Sequence, residues 1–386
     1  MQEIYLDNNA TTPMDSLVLE AMKPYYEKYF GNTSSIHSVG QKVRSATEDA
    51  RSQVAKLIGA KTNEIVFTGS GTESDNTALL GIARRHRSKG DHIITTTIEH
   101  SAVLQSTEQL AKEGFRVSYI PVDSQGIVQL NNLAEAIEDS TVLISIMHSN
   151  NEIGVIQPIQ EIATLARQHT IPFHTDAVQT AGKMAVDVEQ LGVDLLSLSA
   201  HKIHGPKGVG ALYMRKEIQL NPLLLGGSHE RSRRAGTLNV PGIVGLGKAC
   251  EIAQQSLEDF DTRVRTLRDH LEKTILQEIP NTVVNGSRNQ RSPHLTNISF
   301  SNVEGEALLI ALDMQGIAVS TGSACSSGTV EPSHVLQALG CRPARCDSAI
   351  RFSLSRMNNE KDIDSVLQIL PTTIERMRRL SAISRD

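Results

Sequence analysis

Two stretches decide the fold: Ile171-Pro172-Phe173-His174-Thr175-Asp176-Ala177-Val178-Gln179 and Asp194-Leu195-Leu196-Ser197-Leu198-Ser199-Ala200-His201-Lys202. Each begins as a short apolar run, the pattern of a strand buried on both faces of a parallel sheet. Asp176 and Lys202 follow at the carboxyl ends of those strands, where open α/β sheets hold their ligands. An isolated aspartate and lysine would read as a strand-end ion pair. Here the lysine leads into Ile203-His204-Gly205-Pro206-Lys207-Gly208-Val209-Gly210, a Gly/Pro-punctuated loop before another apolar run, a frame that an ordinary ion pair does not need. A carboxylate and an amine so placed suit pyridoxal 5'-phosphate. The amine forms a Schiff base with the aldehyde, and the carboxylate keeps the pyridine nitrogen protonated.

Outward from this pair lie further apolar runs around Ile65-Val66-Phe67, Ile93-Ile94, Val117-Ser118-Tyr119-Ile120, Val142-Leu143-Ile144-Ser145-Ile146 and Ala211-Leu212-Tyr213, seven in all. Helical patterns such as 102–112 and 159–168 separate most of them. This alternation predicts an α/β fold with a mainly parallel seven-stranded sheet covered by helices on both faces. A helical pattern over about 245–279, with Ile252, Leu257, Val264, Leu267, Leu271 and Ile275 as its apolar positions, leaves this domain and opens a smaller α+β one. That second domain has candidate strands at 295–300, 317–319 and 350–354. The expected division is 14–257 for the large domain, and 1–13 with 258–386 for the small one.

At 386 residues the chain exceeds one typical core. Charged residues at 21% and hydrophobic ones at 39% describe a soluble globular protein. The formal net charge of -5, with Arg231-Ser232-Arg233-Arg234 as a short basic block, argues against a nucleic-acid partner. No apolar stretch approaches the length of a membrane span, so no membrane partner is expected. Met1-Gln2-Glu3-Ile4 lacks the parts of a signal peptide, and a cytoplasmic location is expected. There Cys250, Cys325, Cys341 and Cys346 would remain thiols. Cys341 and Cys346 have a spacing found in some iron–sulfur sites, but no third cysteine follows closely, and no metal is expected.

Thr68-Gly69-Ser70-Gly71-Thr72-Glu73-Ser74-Asp75-Asn76 joins the first strand of the set to a helix. Glycines there let the backbone approach an anion, and the helix N-terminus offers free amides; Gly71 and Thr72 are the candidate phosphate contacts. Alone, such a turn reads equally well as a helix cap, and it matches neither the Walker A nor the dinucleotide pattern. His100, closing the second strand in Thr97-Ile98-Glu99-His100, is placed to stack on a ring and move protons near neutral pH; most lone histidines are structural. His201 is a candidate by adjacency to Lys202. Asn151, in His148-Ser149-Asn150-Asn151, closes another strand at the level of ring or substrate. Cys325 lies in a run of small and polar residues over about 320–333, read as a mobile loop. Free cysteines prefer burial, so this one is a fortuitous loop thiol or a thiol that meets a substrate or partner.

Tyr5-Leu6-Asp7-Asn8-Asn9-Ala10-Thr11-Thr12-Pro13, Gly31-Asn32-Thr33-Ser34-Ser35-Ile36-His37, Gly71-Thr72-Glu73-Ser74-Asp75-Asn76, Asn150-Asn151-Glu152-Ile153-Gly154, Ser199-Ala200-His201-Lys202 and Gly322-Ser323-Ala324-Cys325 together resemble the cysteine desulfurases of the NifS/IscS type. These belong to the class V aminotransferase group of fold-type I pyridoxal-phosphate enzymes. The resemblance runs from the N-terminal strand to Arg351. Two departures, Gly69-Ser70 for a common Ser-Gly and Thr321 for a frequent serine, remove no cofactor-bearing side chain. The stretch 326–336 resembles the longer loop of the NifS/IscS branch.

The resemblance implies a homodimer that converts L-cysteine to L-alanine and leaves sulfur on the enzyme as a persulfide. A protein sulfur acceptor, such as an iron–sulfur scaffold, would take it onward. Lys202 would carry the cofactor, Asp176 pair with the ring nitrogen, and Gln179 contact the ring hydroxyl. Thr72, Ser199 and His201 would hold the phosphate, joined by the partner subunit's Thr237. His100 would stack on the ring, Asn151 lie beside cofactor and substrate, and Arg351 pair with the substrate carboxylate. Lys202 would remove the α-proton, and Cys325 would attack the substrate sulfur as a thiolate. An unperturbed thiol of pKa about 8.5 is only a few per cent ionised at neutral pH, so a nearby cation or His100 should help. The rivals are a selenocysteine lyase or class V aminotransferase on the same scaffold, and a non-catalytic sulfur-handling or regulatory scaffold.

Overall fold

A computed structural model of the chain describes residues 3–321 and 332–383. Its strands are β1 (Ile4–Tyr5), β2 (Ile65–Thr68), β3 (His92–Thr96), β4 (Arg116–Ile120), β5 (Thr141–Ser145), β6 (Phe173–Asp176), β7 (Leu195–Ser199), β8 (Gly210–Met214), β9 (Thr282–Val284), β10 (Leu295–Phe300), β11 (Ile317–Ala318) and β12 (Ala349–Ser353). The seven apolar runs are the seven strands of one sheet, in the order β2-β8-β7-β6-β5-β3-β4. β8 is antiparallel to both its neighbours, and the other pairings are parallel.

Side-chain alternation explains why these strands read as unbroken apolar runs. Successive residues point to opposite faces, and both faces are covered. Ile94, Ile144, Leu196 and Tyr213 belong to one core, with Val54 of helix Ser38–Leu57, Ile162 of helix Ile159–Gln168 and Leu246 of helix Val240–Gln255. Their neighbours Ile93, Leu143, Leu195 and Leu212 belong to the other, with Leu79 and Ile82 of helix Gly71–His86 and Val103 and Leu110 of helix Ser101–Lys112. Burying each such side chain is worth about 1.5–3 kcal/mol, and a shift of register would exchange the two sets. β4 breaks the pattern: Arg116 and Tyr119 are exposed, as its place at the sheet edge requires.

A third core unites the N-terminal Ile4 and Leu6 with Phe260, Leu271, Phe300, Phe352, Ile363 and Leu370. Around it β12, β10 and β9 form an antiparallel sheet, and β1 pairs with β11. Two expectations need correction. The candidate strands of this domain omitted β9, which pairs with β10; the run at 317–319 is β11, and it pairs with β1. The helical pattern of 245–279 is not one helix either: it ends at Gln255, and Ser256 takes φ -101° and ψ 1° before helix resumes and runs to Glu278. Ala249, Cys250 and Ala253 precede that break and pack in the sheet core. Phe260, Val264 and Leu267 follow it and pack in the third core. The change of phase is where the chain changes cores. Among the described residues no helix is long and apolar enough to cross a membrane.

Candidate active site

A cavity of about 240 Å³ opens beyond the carboxyl ends of β2, β3, β5, β6 and β7. Its walls carry Gly71, Thr72, His100, Asn151, Asp176, Gln179, Ser199, His201 and Lys202. Parallel strands bring this about: five loops, the first leaving β2 at Thr68 and the last leaving β7 at Ser199, emerge from the same edge of one sheet.

At one end the helix Gly71–His86 points its N-terminus into the cavity. Ser70 caps it, its hydroxyl accepting from the Glu73 amide at 3.0 Å, while the first-turn amides before Glu73 have no intrahelical partner. Gly71 permits close approach: a Cβ there would lie 2.7 Å from Val178 Cγ2. Across from it, Ser199 Oγ is buried and has no hydrogen-bond partner within the described chain. His201 lines the same cavity, its Nδ1 3.1 Å from Thr11 Oγ1. Burial, with the charge of Lys202, pushes its pKa down to about 4, so it is neutral and offers hydrogen bonds instead of charge. An orphaned hydroxyl, unused amides and a helix dipole fit a phosphate.

Deeper in the cavity the carboxylates divide by role. Asp176 accepts from the Val178 amide at 2.9 Å. Burial raises its pKa, opposed by His100, that amide and Lys202. Asp75 is pushed up further, by burial and then by the charge of Asp176 itself. Of the pair, Asp75 keeps the proton and Asp176 is the one that ionises, as a pyridinium partner must. His174 lies 3.6 Å from Asp75, but burial pushes its pKa down to about 3, so the contact is not an ion pair. Glu99, buried beneath His100, is pushed up to about 8 by desolvation. The ring of His100 caps helix Ser101–Lys112, its Nδ1 accepting from the Ala102 amide at 3.1 Å. Burial pushes its pKa down, with Lys202 and His334 also lowering it and Asp176 opposing. In the neutral ring the proton therefore sits on Nε2, free of the cap.

Lys202 Nζ donates to the carbonyl oxygens of Asn9 at 2.5 Å and Ala10 at 2.8 Å. Gln179 Nε2 donates to the same Asn9 oxygen at 3.1 Å. These N-terminal contacts were missed, since main-chain carbonyls leave no mark in sequence. Asp75 and Met147, also in the wall, were missed as well. Arg351 and Thr237 are not in the wall. Arg351 is buried beside it, donating to Asp7 Oδ1 at 2.7 Å and to the Asn151 carbonyl at 3.1 Å. Thr237 is exposed, in a segment tethered by Arg234 to Glu73 at 2.8 Å. Cys325 lies outside the described residues. Burial raises the thiol pKa of Cys250, Cys341 and Cys346, the last to about 11.

Residues 4–366 match the model of the family described as "Aminotransferase class-V". The chain is 49% identical over 385 residues to the cysteine desulfurase IscS of Dictyoglomus turgidum, covering 100% of this chain and 98% of that one. It is 50% identical to the cysteine desulfurase IscS of Methanosarcina thermophila, covering 99% and 94%. Among solved structures, a NifS-like protein superposes with a TM-score of 0.90 at 39% identity, over 97% of this chain and 99% of that one. SspA in complex with cysteine does so with a TM-score of 0.81 at 38% identity, over 91% and 98%.

Proposed function

Because the chain belongs to the aminotransferase class-V family, we propose that the cavity holds pyridoxal phosphate and removes the sulfur of L-cysteine. The chain is a pyridoxal-phosphate-dependent cysteine desulfurase, as its full-length relatives are named, and the related SspA structure with bound cysteine supports the substrate. The observation that carries the site assignment is Asp176, the last residue of β6, and Lys202, three residues beyond the end of the neighbouring β7, lining one cavity with the unpartnered Ser199 Oγ.

The cofactor, when bound, supplies an electron sink for charge developing at the substrate α-carbon. Ser199, His201, Thr72 and the first-turn amides at Gly71 would grip its phosphate, and Asp176 would hold the ring nitrogen protonated. Gln179 would meet the ring hydroxyl, and Asn151 would lie beside cofactor and substrate. Lys202 would carry the cofactor and, as a free amine, would take the α-proton. His100 would stack on the ring and offer its Nε2 proton, and Arg351 would exchange Asp7 for the substrate carboxylate. Cys325 would attack the substrate sulfur as a thiolate: a sulfur–sulfur bond forms, the carbon–sulfur bond breaks with its electron pair passing to the substrate carbon, and protonation of that carbon gives alanine. The persulfide then passes to a protein acceptor such as an iron–sulfur scaffold. Homodimerisation, the partner subunit's Thr237 at the phosphate, a cytoplasmic location and the division into 14–257 and 1–13 with 258–386 belong to the same proposal. The separate third core supports that division.

Borohydride reduction followed by peptide mass spectrometry tests the site. A pyridoxyl group on Lys202 is expected; its appearance on another lysine, or on none, refutes the assignment. Stoichiometric alanine from cysteine, without consumption of a 2-oxo acid, separates desulfuration from transamination.

A further inference from the structure

Lys183 is 2% exposed, and its cation-bearing end is turned away from solvent. The turn after Asp176 places it there. Gly182 takes φ +79°, where a Cβ would lie 2.8 Å from Ile203 Cγ2, and this left-handed step folds the next side chain inward. Its Nζ donates to Gln179 Oε1 at 2.9 Å. It also lies 3.4 Å from Asn9 Oδ1 and 3.3 Å from His294 Nε2. Burying an amine so completely is costly. Burial, with the charges of Lys202 and Arg351, pushes its pKa well down. Neutral or charged, it still donates a hydrogen bond.

The consequence lies in Gln179. The two ends of a carboxamide have the same shape, so its neighbours decide which one faces the cavity. With Lys183 on Oε1, the NH2 end is left to serve the Asn9 carbonyl at 3.1 Å and, with its second hydrogen, the cavity that Gln179 lines.

We propose that Lys183 is a positioning residue: by donating to Gln179 Oε1 it fixes the amide with an N–H toward the ring oxygen of the bound cofactor, which stabilises that oxygen as an anion. This rests on the proposed contact between Gln179 and the ring hydroxyl. An N–H on the ring oxygen competes with the proton which that oxygen shares with the Lys202 nitrogen. The shared proton is therefore lost at lower pH than it would be opposite a carbonyl. The other charged or titratable groups facing this proton are Asp176, His100, Asp75 and His201 in the wall, Glu99 and His334 behind His100, and Arg351 and His294 near Lys183.

The test is a pH titration of cofactor absorbance in holoprotein carrying Lys183→Met, Gln179→Ala, or both. Loss of one hydrogen bond to the anionic oxygen shifts the midpoint upward by about one pH unit. Lys183→Met and Gln179→Ala should each give that rise, and the double variant should rise no further. Lys183→Gln, which retains a donor and guards against a folding defect in the methionine variant, should rise less. A wild-type midpoint in both Lys183 variants beside a raised one in Gln179→Ala overturns the inference. So does an additive double variant, which would mean that Lys183 acts by charge alone. No rise in Gln179→Ala overturns the ring contact itself, and the inference with it.

Discussion

Ser199→Ala should separate two quantities that most active-site substitutions move together. Ser199 is 4% exposed, and its hydroxyl has no hydrogen-bond partner within the described chain. A buried hydroxyl without a partner costs on the order of 1–3 kcal/mol, so replacing it with a methyl should leave the cofactor-free protein as stable as before, or more so by about 1 kcal/mol. With phosphate present, the same hydroxyl donates to a charged acceptor, a bond worth about 1.5–3 kcal/mol. The variant should therefore bind pyridoxal phosphate roughly 10–150-fold more weakly. The assay is thermal unfolding of cofactor-free protein, followed by unfolding over a titration of pyridoxal phosphate, since a ligand of the folded state raises stability with concentration. The expected result is an unchanged or slightly higher Tm without cofactor and a smaller rise with it. A lower Tm without cofactor, together with an unchanged affinity, would refute the reasoning and make Ser199 a packing residue.

Glu230→Ala should cost on the order of 3–5 kcal/mol in urea unfolding. The Glu230 side chain, 2% exposed, accepts from two Arg51 nitrogens at 2.8 Å and from the Phe67 amide at 2.9 Å. Because Glu230 sits at φ 47°, Glu230→Gly should be about 1 kcal/mol less damaging than Glu230→Ala; equal losses would show that no left-handed strain is present. Glu99→Gln should flatten the pH dependence of stability. Burial raises the Glu99 pKa from 4.5 to about 8, so the folded state holds a proton that the unfolded state releases. Its contribution is full below about 4.5 and is lost as the pH rises toward 8. The variant should gain on wild type across that window, and a constant difference from pH 4 to 9 would contradict the buried neutral carboxyl.

Much of the fold was legible because burial on both faces of the sheet leaves a simple mark. Pairs such as Ile93-Ile94 and Leu195-Leu196 divide between two cores, so neither residue can be polar. β9 left no such mark: Thr282–Val284 is three residues long and at most half-buried. The break at Ser256 was illegible for a different reason. Helical periodicity records that a face is buried but not in which core, and here the face passes from one core to another. In the site, Asp176 and Lys202 could be read because strand ends position them. The protonation order of Asp75 and Asp176 could not, since it depends on the packing of helix Gly71–His86 against the end of β6. Nor could the grip of Asn9 and Ala10 on Lys202, which uses main-chain oxygens. Arg351, expected at the substrate, is held by Asp7 and the Asn151 carbonyl, a contact made by two ends of the chain.

The central claim is that the cavity around Lys202 releases sulfur from cysteine to the thiol of Cys325. It is tested most directly by one turnover with isotopically labelled cysteine, rapid acid quench, and peptide mass spectrometry alongside an alanine assay. Wild-type protein should carry labelled sulfur on Cys325 in proportion to the alanine formed and to the cofactor bound. Cys325→Ala should still show the cofactor's spectral response to cysteine, yet form almost no persulfide. Labelled sulfur on Cys250, Cys341 or Cys346 instead, or alanine and sulfide released at the wild-type single-turnover rate by Cys325→Ala, would contradict the account.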